Sequence, residues 1–200
     1  VKSDLESLIT QKGFNNSQIS ILAALTKLRQ ICNHPNLVFE DNEKVYESAK
    51  LETLLELIKE SIYAGHKILV FSQFVQMLKL IKERLLEDEI EFEYLDGSTK
   101  NRMDVVNSFN DDENKKVFLL SLKAGGTGLN LTSADIVIHV DPWWNPQIER
   151  QATDRAHRMG QEKKVIVYKL ITKGTVEEKM LKLQERKKEI FDVIIDSNNN

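Results

Sequence analysis

The fold class of this chain is decided by residues 117–130, which read Val117-Phe118-Leu119-Leu120-Ser121-Leu122-Lys123-Ala124-Gly125-Gly126-Thr127-Gly128-Leu129-Asn130. Four apolar residues that run directly into a glycine-rich turn are typical of a strand buried on both faces of a parallel sheet. Comparable runs predict four more strands, at 68–71, 92–95, 136–140 and 165–171.

Apolar residues at helical spacing separate most of these strands. They predict helices over 18–32, 51–62, 74–85 and 100–109, and a last helix through 176–183. Strands that alternate with helices imply an α/β fold, an open parallel sheet with helices on both faces. Ligands of such sheets collect beyond the carboxyl ends of the strands, and four polar segments fall there. These segments are 72–73, 96–98, 121–130 and 141–145.

The composition describes a protein with a sizeable core and a mixed-charge surface. Of 200 residues, 41% are apolar and 30% are charged, with a formal net charge of −3. This charge argues against a protein that coats nucleic acid, but it allows a local basic groove. No apolar run is long enough for a membrane span. The first residue is Val1, which suggests a fragment or a processed chain.

The single cysteine excludes an internal disulfide and fits a reducing compartment, either the bacterial cytoplasm with its nucleoid or a nucleus. Cys32 and the nearby His34 are too few ligands for a zinc site, so we predict packing roles for both and no metal site in the chain. His139 falls inside a predicted strand, and we interpret it as a core histidine whose polar atoms are satisfied.

The glycine-rich segment after the third predicted strand is a candidate phosphate contact. Three glycines within four residues leave backbone N–H groups open and allow a phosphate to approach closely. Lys123, Thr127 and Asn130 could add side-chain donors. The alternative is a strand-to-helix turn that binds nothing. The segment matches neither a Walker A loop nor a dinucleotide fingerprint.

A second candidate site begins at Asp141-Pro142-Trp143-Trp144-Asn145-Pro146. Asn145 as cap and Pro146 in the first turn predict a helix that continues through Gln151, Arg155 and Arg158. These three side chains fall at i, i+4 and i+7, hence on one face, and two guanidiniums together suit a nucleotide phosphate. The alternative is a solvated surface with an ordinary ion pair between Asp154 and Arg158.

The run Gln151-Ala152-Thr153-Asp154-Arg155-Ala156-His157-Arg158-Met159-Gly160-Gln161 resembles the last motif of the Swi/Snf-type DNA-dependent ATPases, members of helicase superfamily two. Other helicases of that superfamily usually carry glycine where this chain has Asp154. Residues 28–37 resemble a helical insertion of the same family, and 71–74, 95–98 and 124–131 resemble further motifs. The resemblance covers essentially the whole chain.

The resemblance implies a RecA-like second motor lobe at 49–185, preceded by a helical insertion at 1–48 and followed by a partly disordered tail at 186–200. It makes Arg155 and Arg158 the catalytic arginine fingers, and it places Gln151, Gly126 and Gly128 at the nucleotide. The implied DNA contacts are Ser72, Gln73, Gly97, Ser98, Lys123, Thr127, Asn130 and Trp144.

A motor ATPase also needs a phosphate-gripping loop with lysine and an acidic pair for magnesium, and neither motif occurs in this sequence. The resemblance therefore implies that ATP and Mg²⁺ bind mainly to an N-terminal RecA-like lobe, which would be this lobe's partner together with double-stranded DNA. We expect the second lobe of an ATP-dependent DNA translocase that is inactive alone, with no membrane association. The alternatives are an inert protein-interaction scaffold and an RNA helicase lobe. The intact Arg155, Arg158, Gln151 and glycine-rich segment argue against the first, and Asp154 together with residues 28–35 argues against the second.

Overall fold

The structure is a computed structural model that describes residues 14–39, 46–124, 128–156 and 164–198, with side chains described from 19 to 187 within these ranges. Five parallel strands form one sheet in the order β2-β3-β1-β4-β5. The strands are β1 (Ile68–Ser72), β2 (Phe92–Leu95), β3 (Val117–Ser121), β4 (Ile136–His139) and β5 (Ile166–Lys169). All five predicted strands are thus confirmed, with small differences at their ends.

The three central strands explain why the apolar runs are continuous. Every residue of β1, β3 and β4 is buried. Val70 of β1 lies opposite Leu119 of β3 and Ile138 of β4, which places β1 at the centre of the sheet. By contrast, β5 is an edge strand whose four residues are all exposed.

Six α-helices surround this sheet in the described part of the chain. They are α1 (Phe14–Asn33), α2 (Ala49–Tyr63), α3 (Val75–Glu87), α4 (Arg102–Asp111), α5 (Pro146–Thr153) and α6 (Val176–Asn198), with a short 3₁₀ helix at Pro35–Leu37. None of the described helices is both long and apolar enough to cross a membrane. The helix α1 belongs to the predicted N-terminal helical segment.

Helices pack on both faces of the sheet, as the alternation of elements predicts. Val70 points to one core, where it meets α2 and α3 through residues such as Leu54 and Met77. Its neighbours Leu69 and Phe71 point to the other core, which they share with α4 and α5. Between β3 and β4 the described residues contain no helix, so the part of the alternative that placed a helix after the glycine-rich segment does not hold, while ligand binding by that segment stays a prediction.

The N-terminal segment is fixed to the lobe by a buried polar cluster. The Lys50 ammonium contacts the Glu177 carboxylate at 2.6 Å, and both side chains are almost completely buried. Lys50 also donates to Asn33 Oδ1 at 3.1 Å, while Ser48 Oγ donates to the Asn33 carbonyl at 2.6 Å. The end of α1, the start of α2 and the start of α6 are therefore held together at one point. Near this point the Cys32 carbonyl accepts a bond from Thr172 Oγ1 at 3.1 Å.

His139 is the core histidine that the sequence predicts. It is 2% exposed, stacks on Phe71 with ring centroids 5.6 Å apart, and its Nε2 lies 3.1 Å from Thr153 Oγ1. Burial lowers the pKa of His139 to about 4, with Glu149 and Lys169 as smaller influences of opposite sign. The imidazole is therefore neutral in the folded protein at pH 7.

Acidification is expected to destabilise the protein through His139. The unfolded chain binds a proton near pH 6.5, whereas folded His139 resists protonation down to about pH 4. The contribution of His139 to the free energy of unfolding is therefore fully present above pH 6.5. It decreases by about 3 kcal/mol as the pH drops toward 4. Urea unfolding between pH 7 and 4 measures this slope, and the variant His139→Gln, which cannot titrate, should show a shallower one. Equal slopes for the native protein and the His139→Gln variant would contradict the assignment of this pH dependence to His139.

Candidate nucleotide and nucleic-acid interface

The carboxyl ends of four neighbouring strands meet at one edge of the sheet. Ser72 at the end of β1 pairs with Ser121 at the end of β3, and Phe71 pairs with His139 of β4. Beyond the strands, the Leu122 amide donates to the Ser72 carbonyl at 2.9 Å. The predicted polar segments therefore lie along a single edge, because parallel strands all end on the same side.

A buried carboxylate, Asp141, links the loops that follow β1 and β4. Its Oδ2 accepts a bond from Ser72 Oγ at 2.5 Å, and its Oδ1 accepts one from the Gln73 amide at 3.3 Å. Burial raises the pKa of Asp141, while the Ser72 bond is the largest opposing influence. Sequence reasoning missed this role, since the partners stand 69 residues apart.

The side chain of Ser72 is accordingly unsuited to its predicted contact with DNA. It is 1% exposed, and its hydroxyl is already bonded to Asp141. The hydroxyl instead stabilises the turn that follows β1, since the Phe74 amide donates to Ser72 Oγ at 3.1 Å. Gln73 is half-buried, and the structure describes no hydrogen-bond partner for its Nε2.

The turn after β2 is organised by Asp96. Its Oδ1 accepts bonds from the Ser98 amide at 2.8 Å and the Ser98 hydroxyl at 2.6 Å, and Tyr94 donates to Oδ2 at 3.0 Å. The Ser98 bond is the main influence that lowers the pKa of Asp96, and burial followed by Asp96 raises the pKa of Tyr94 to about 12. Gly97 and Ser98 are exposed, and a side chain at Gly97 would meet open space. Both can therefore be approached by a ligand.

Part of the glycine-rich segment lies outside the described residues, including the predicted contacts Gly126 and Thr127. On either side of this gap Lys123, Gly128 and Asn130 are exposed. Gly128 has φ +55°, in the left-handed region that favours glycine. The buried Leu129 and Leu131 fix the end of the segment to the core.

The segment that carries the arginines begins as predicted but ends early. Asn145 caps α5 by accepting a bond from the Gln147 amide at 3.0 Å, and Pro146 is the first helical residue. The helix stops at Thr153. Beyond it, the Arg155 amide donates to the Ala152 carbonyl at 3.2 Å, three residues back.

The prediction that Gln151, Arg155 and Arg158 share one face of a continuous helix is therefore wrong. Gln151 is exposed on the last turn of α5, whereas Arg155 follows the helix and is 5% exposed. The Arg155 carbonyl accepts a bond from the Leu131 amide at 3.0 Å, which joins this segment to the end of the glycine-rich one. Arg158 lies outside the described residues.

The two tryptophans differ in burial. Trp143 is half-buried against the core on the α4 side, and Trp144 is 38% exposed. The backbone of Trp143 is held by Glu149 of α5, whose Oε1 accepts from the Trp143 amide at 2.6 Å, and by Gln184 of α6. Glu149 is itself 2% exposed and also contacts Lys169. Its place three residues before the apolar Ala152 puts both residues on one face of α5, a sequence feature that agrees with this burial.

Comparison with known proteins identifies the lobe. Residues 49–160 match the family of the helicase conserved C-terminal domain. The C-terminal domain of the Sulfolobus solfataricus SWI2/SNF2 ATPase has a similar structure, with a TM-score of 0.77 and 37% identity over 96% of this chain and 79% of that chain. The chain belongs to the helicase C-terminal domain family, in its Swi/Snf branch.

Two further relatives of this Swi/Snf lobe are informative. The Sulfolobus solfataricus SWI2/SNF2 ATPase core, solved in complex with double-stranded DNA, has a TM-score of 0.80 and 39% identity over 98% of this chain and 42% of that chain. The ISWI chromatin-remodeling complex ATPase ISW1 of Saccharomyces cerevisiae is 37% identical over 99% of this chain and 19% of its own length. The RecA-like fold class is thus confirmed. The chain spans about a fifth of the length of ISW1 and of three other curated relatives that it matches.

Proposed function

We propose that this chain is the second motor lobe of an ATP-dependent translocase on double-stranded DNA. The observation that carries the proposal is the gathering of strand-end loops at one edge of a Swi/Snf lobe. On that edge the exposed candidate contacts to DNA are Gly97, Ser98, Lys123, Asn130 and Trp144. Exposed backbone amides and small polar side chains suit contacts to phosphate oxygens, which hold a duplex without reading its sequence.

The nucleotide is assigned to the remaining candidate residues of the same region. In this proposal Gln151, Arg155, Arg158 and the glycines 126 and 128 face a triphosphate that an N-terminal RecA-like lobe holds. Guanidiniums positioned at the transferring phosphoryl group stabilise the charge that develops in the transition state. The hydrogen bond from the Leu131 amide to the Arg155 carbonyl supports the proposal, because it joins the arginine segment to the segment proposed to touch DNA. A shift of one would then displace the other.

The metal that accompanies ATP is not assigned to this chain. Among the described residues, no group of three or more His, Cys, Asp or Glu is arranged to hold a metal ion. Two acidic residues at the proposed edge are already engaged, Asp141 by Ser72 and Asp96 by Ser98. We propose that Mg²⁺ is held by the N-terminal lobe, because the acidic pair that a motor ATPase uses for this metal does not occur in the sequence.

The 200-residue chain alone is expected to hydrolyse almost no ATP, at least about 10³-fold less than the protein with both lobes, because the arginines would lack a nucleotide to act upon. Phosphate release, measured with and without duplex DNA, tests this expectation. Robust DNA-stimulated turnover by the isolated chain would refute the division of labour between lobes.

The same assay on the two-lobed protein separates the alternative functions. Stimulation by duplex DNA and not by single-stranded RNA is the result expected of a DNA translocase. Stimulation by RNA would favour the helicase alternative. A two-lobed protein that hydrolyses no ATP with either nucleic acid would favour the scaffold.

A further inference from the structure

Arg29 in the penultimate turn of α1 lies between the loops that follow β1 and β4. Its Nη2 donates to the Pro142 carbonyl at 2.6 Å. Its guanidinium carbon lies 5.6 Å from the centroid of the Phe74 ring and 5.4 Å from the centroid of the Trp144 ring. Both distances are within the range of cation–π attraction. One side chain from the N-terminal segment thus contacts two loops of the proposed interface.

The burial of this cation sets it apart from an ordinary surface arginine. Arg29 is 3% exposed, and burial lowers the pKa of its guanidinium, with Asp141 and then Glu177 acting in the opposite direction. Removing a charge from water is costly, so the cation must be stabilised by what surrounds it. The guanidinium reaches Pro142 and both rings together, and the compact charge of a lysine ammonium does not reproduce its planar, delocalised shape.

On one side, Arg29 is positioned by α1, whose end is held by the buried polar cluster. Four residues later Asn33 accepts bonds from Ser48 and Lys50, and Lys50 is bound to Glu177. On its other side the contact is with Trp144, which remains 38% exposed. A role in core packing alone does not explain why the Arg29 guanidinium contacts the partly exposed ring of Trp144 at the edge of the sheet.

We infer that Arg29 is a positioning residue whose guanidinium holds the Trp144 indole in one orientation at the strand-end edge, so that the N-terminal helical segment takes part in forming the DNA-contacting surface. The orientation of Trp144 is independent of what the surface binds, and only the identity of the ligand rests on the proposed function. Trp144 directly precedes the cap of α5, and Phe74 directly precedes α3. Through these two rings, Arg29 links the starts of both helices.

The positioning role can be tested by fluorine NMR on the full chain labelled with 5-fluorotryptophan. The chain has two tryptophans, so two resonances are expected, and Trp144→Leu assigns them. Arg29→Lys keeps the charge but loses the planar contacts, and it should shift the Trp144 resonance toward that of a solvated indole while the Trp143 resonance moves less. Arg84→Lys is the matched control, because Arg84 is a partly exposed arginine paired with Glu52.

An unchanged Trp144 resonance in folded Arg29→Lys protein would overturn the inference. Should Arg29→Lys fail to fold, Arg29→Gln provides the second variant, since its neutral amide buries no charge and makes no cation–π contact with Trp144. It should also shift the Trp144 resonance, and an unchanged resonance there would overturn the inference in the same way.

The affinity for duplex DNA then tests whether DNA is the ligand of this surface. Arg29→Lys is expected to weaken binding about fivefold, the equivalent of about 1 kcal/mol of cation–π contact. In a Trp144→Leu background the same change should have less than about a twofold effect, because interacting residues are not additive. An equal loss in both backgrounds would overturn action through Trp144. If Trp144→Leu itself leaves DNA binding intact while the resonance shift is observed, the positioning role stands and the proposed DNA contact of Trp144 fails.

Discussion

Replacing Arg158 by alanine in the protein that carries both lobes is expected to lower DNA-stimulated ATP turnover by about 10³- to 10⁵-fold. Affinity for duplex DNA should stay within about twofold, because the proposed DNA contacts lie on other loops. Arg155→Ala is expected to abolish turnover in the same way. Steady-state phosphate release and DNA binding on the same preparations measure the two effects separately.

The burial of Arg155 calls for a further control. Because Arg155 is 5% exposed, its removal is also expected to lower the unfolding temperature, and lost turnover must be compared at a temperature where the variant is folded. Arg150→Ala is the matched control, since Arg150 is an exposed arginine on α5 and should leave turnover unchanged. Loss of DNA affinity with hydrolysis intact would contradict the assignment of either finger.

Glu177→Ala is expected to lower the free energy of unfolding by about 3–5 kcal/mol, because it leaves the Lys50 ammonium buried without its carboxylate. Glu177 is completely buried, and its Oε2 also accepts a bond from the Thr172 amide at 2.8 Å. Urea unfolding of the single variants and of Lys50→Met with Glu177→Ala completes a double-mutant cycle. The double variant should lose less stability than the sum of the single variants.

The chain offers an exposed ion pair for comparison. Lys59 and Asp88 lie 2.8 Å apart, with side chains 51% and 29% exposed. Asp88→Ala is expected to cost less than about 1 kcal/mol, since solvent screens the pair. If Glu177→Ala costs as little as Asp88→Ala, the polar cluster does not hold the N-terminal segment to the lobe.

The sheet could be predicted because its signal is local. The runs at 68–71 and 117–120 are continuously apolar and bounded by polar residues or turns, which is typical of parallel strands buried on both faces. The cap formed by Asn145 and Pro146 is local in the same way, and the structure confirms it. Such features are set by residues close together in the chain.

What the sequence did not reveal depends on contacts between distant residues. The helical spacing continues past Thr153, yet the helix ends there, and the Arg155 carbonyl is taken by Leu131, 24 positions earlier in the numbering. The hydroxyl of Ser72 was a plausible phosphate donor until Asp141 was seen to occupy it. Periodicity reports which face of an element is apolar, but it does not report which partner claims a polar atom.

The contacts of Gln184 bear on how this lobe should be trimmed for laboratory work. Its side-chain amide donates to Glu149 Oε1 at 3.2 Å and to the Trp143 carbonyl. The family match ends at residue 160, and cutting there would remove Gln184, Lys169 and Glu177 together. In the shortened polypeptide, Glu149 and Lys50 would be buried charges without their ion-pair partners. A usable expression boundary therefore lies beyond residue 184, well past the end of the recognised family segment.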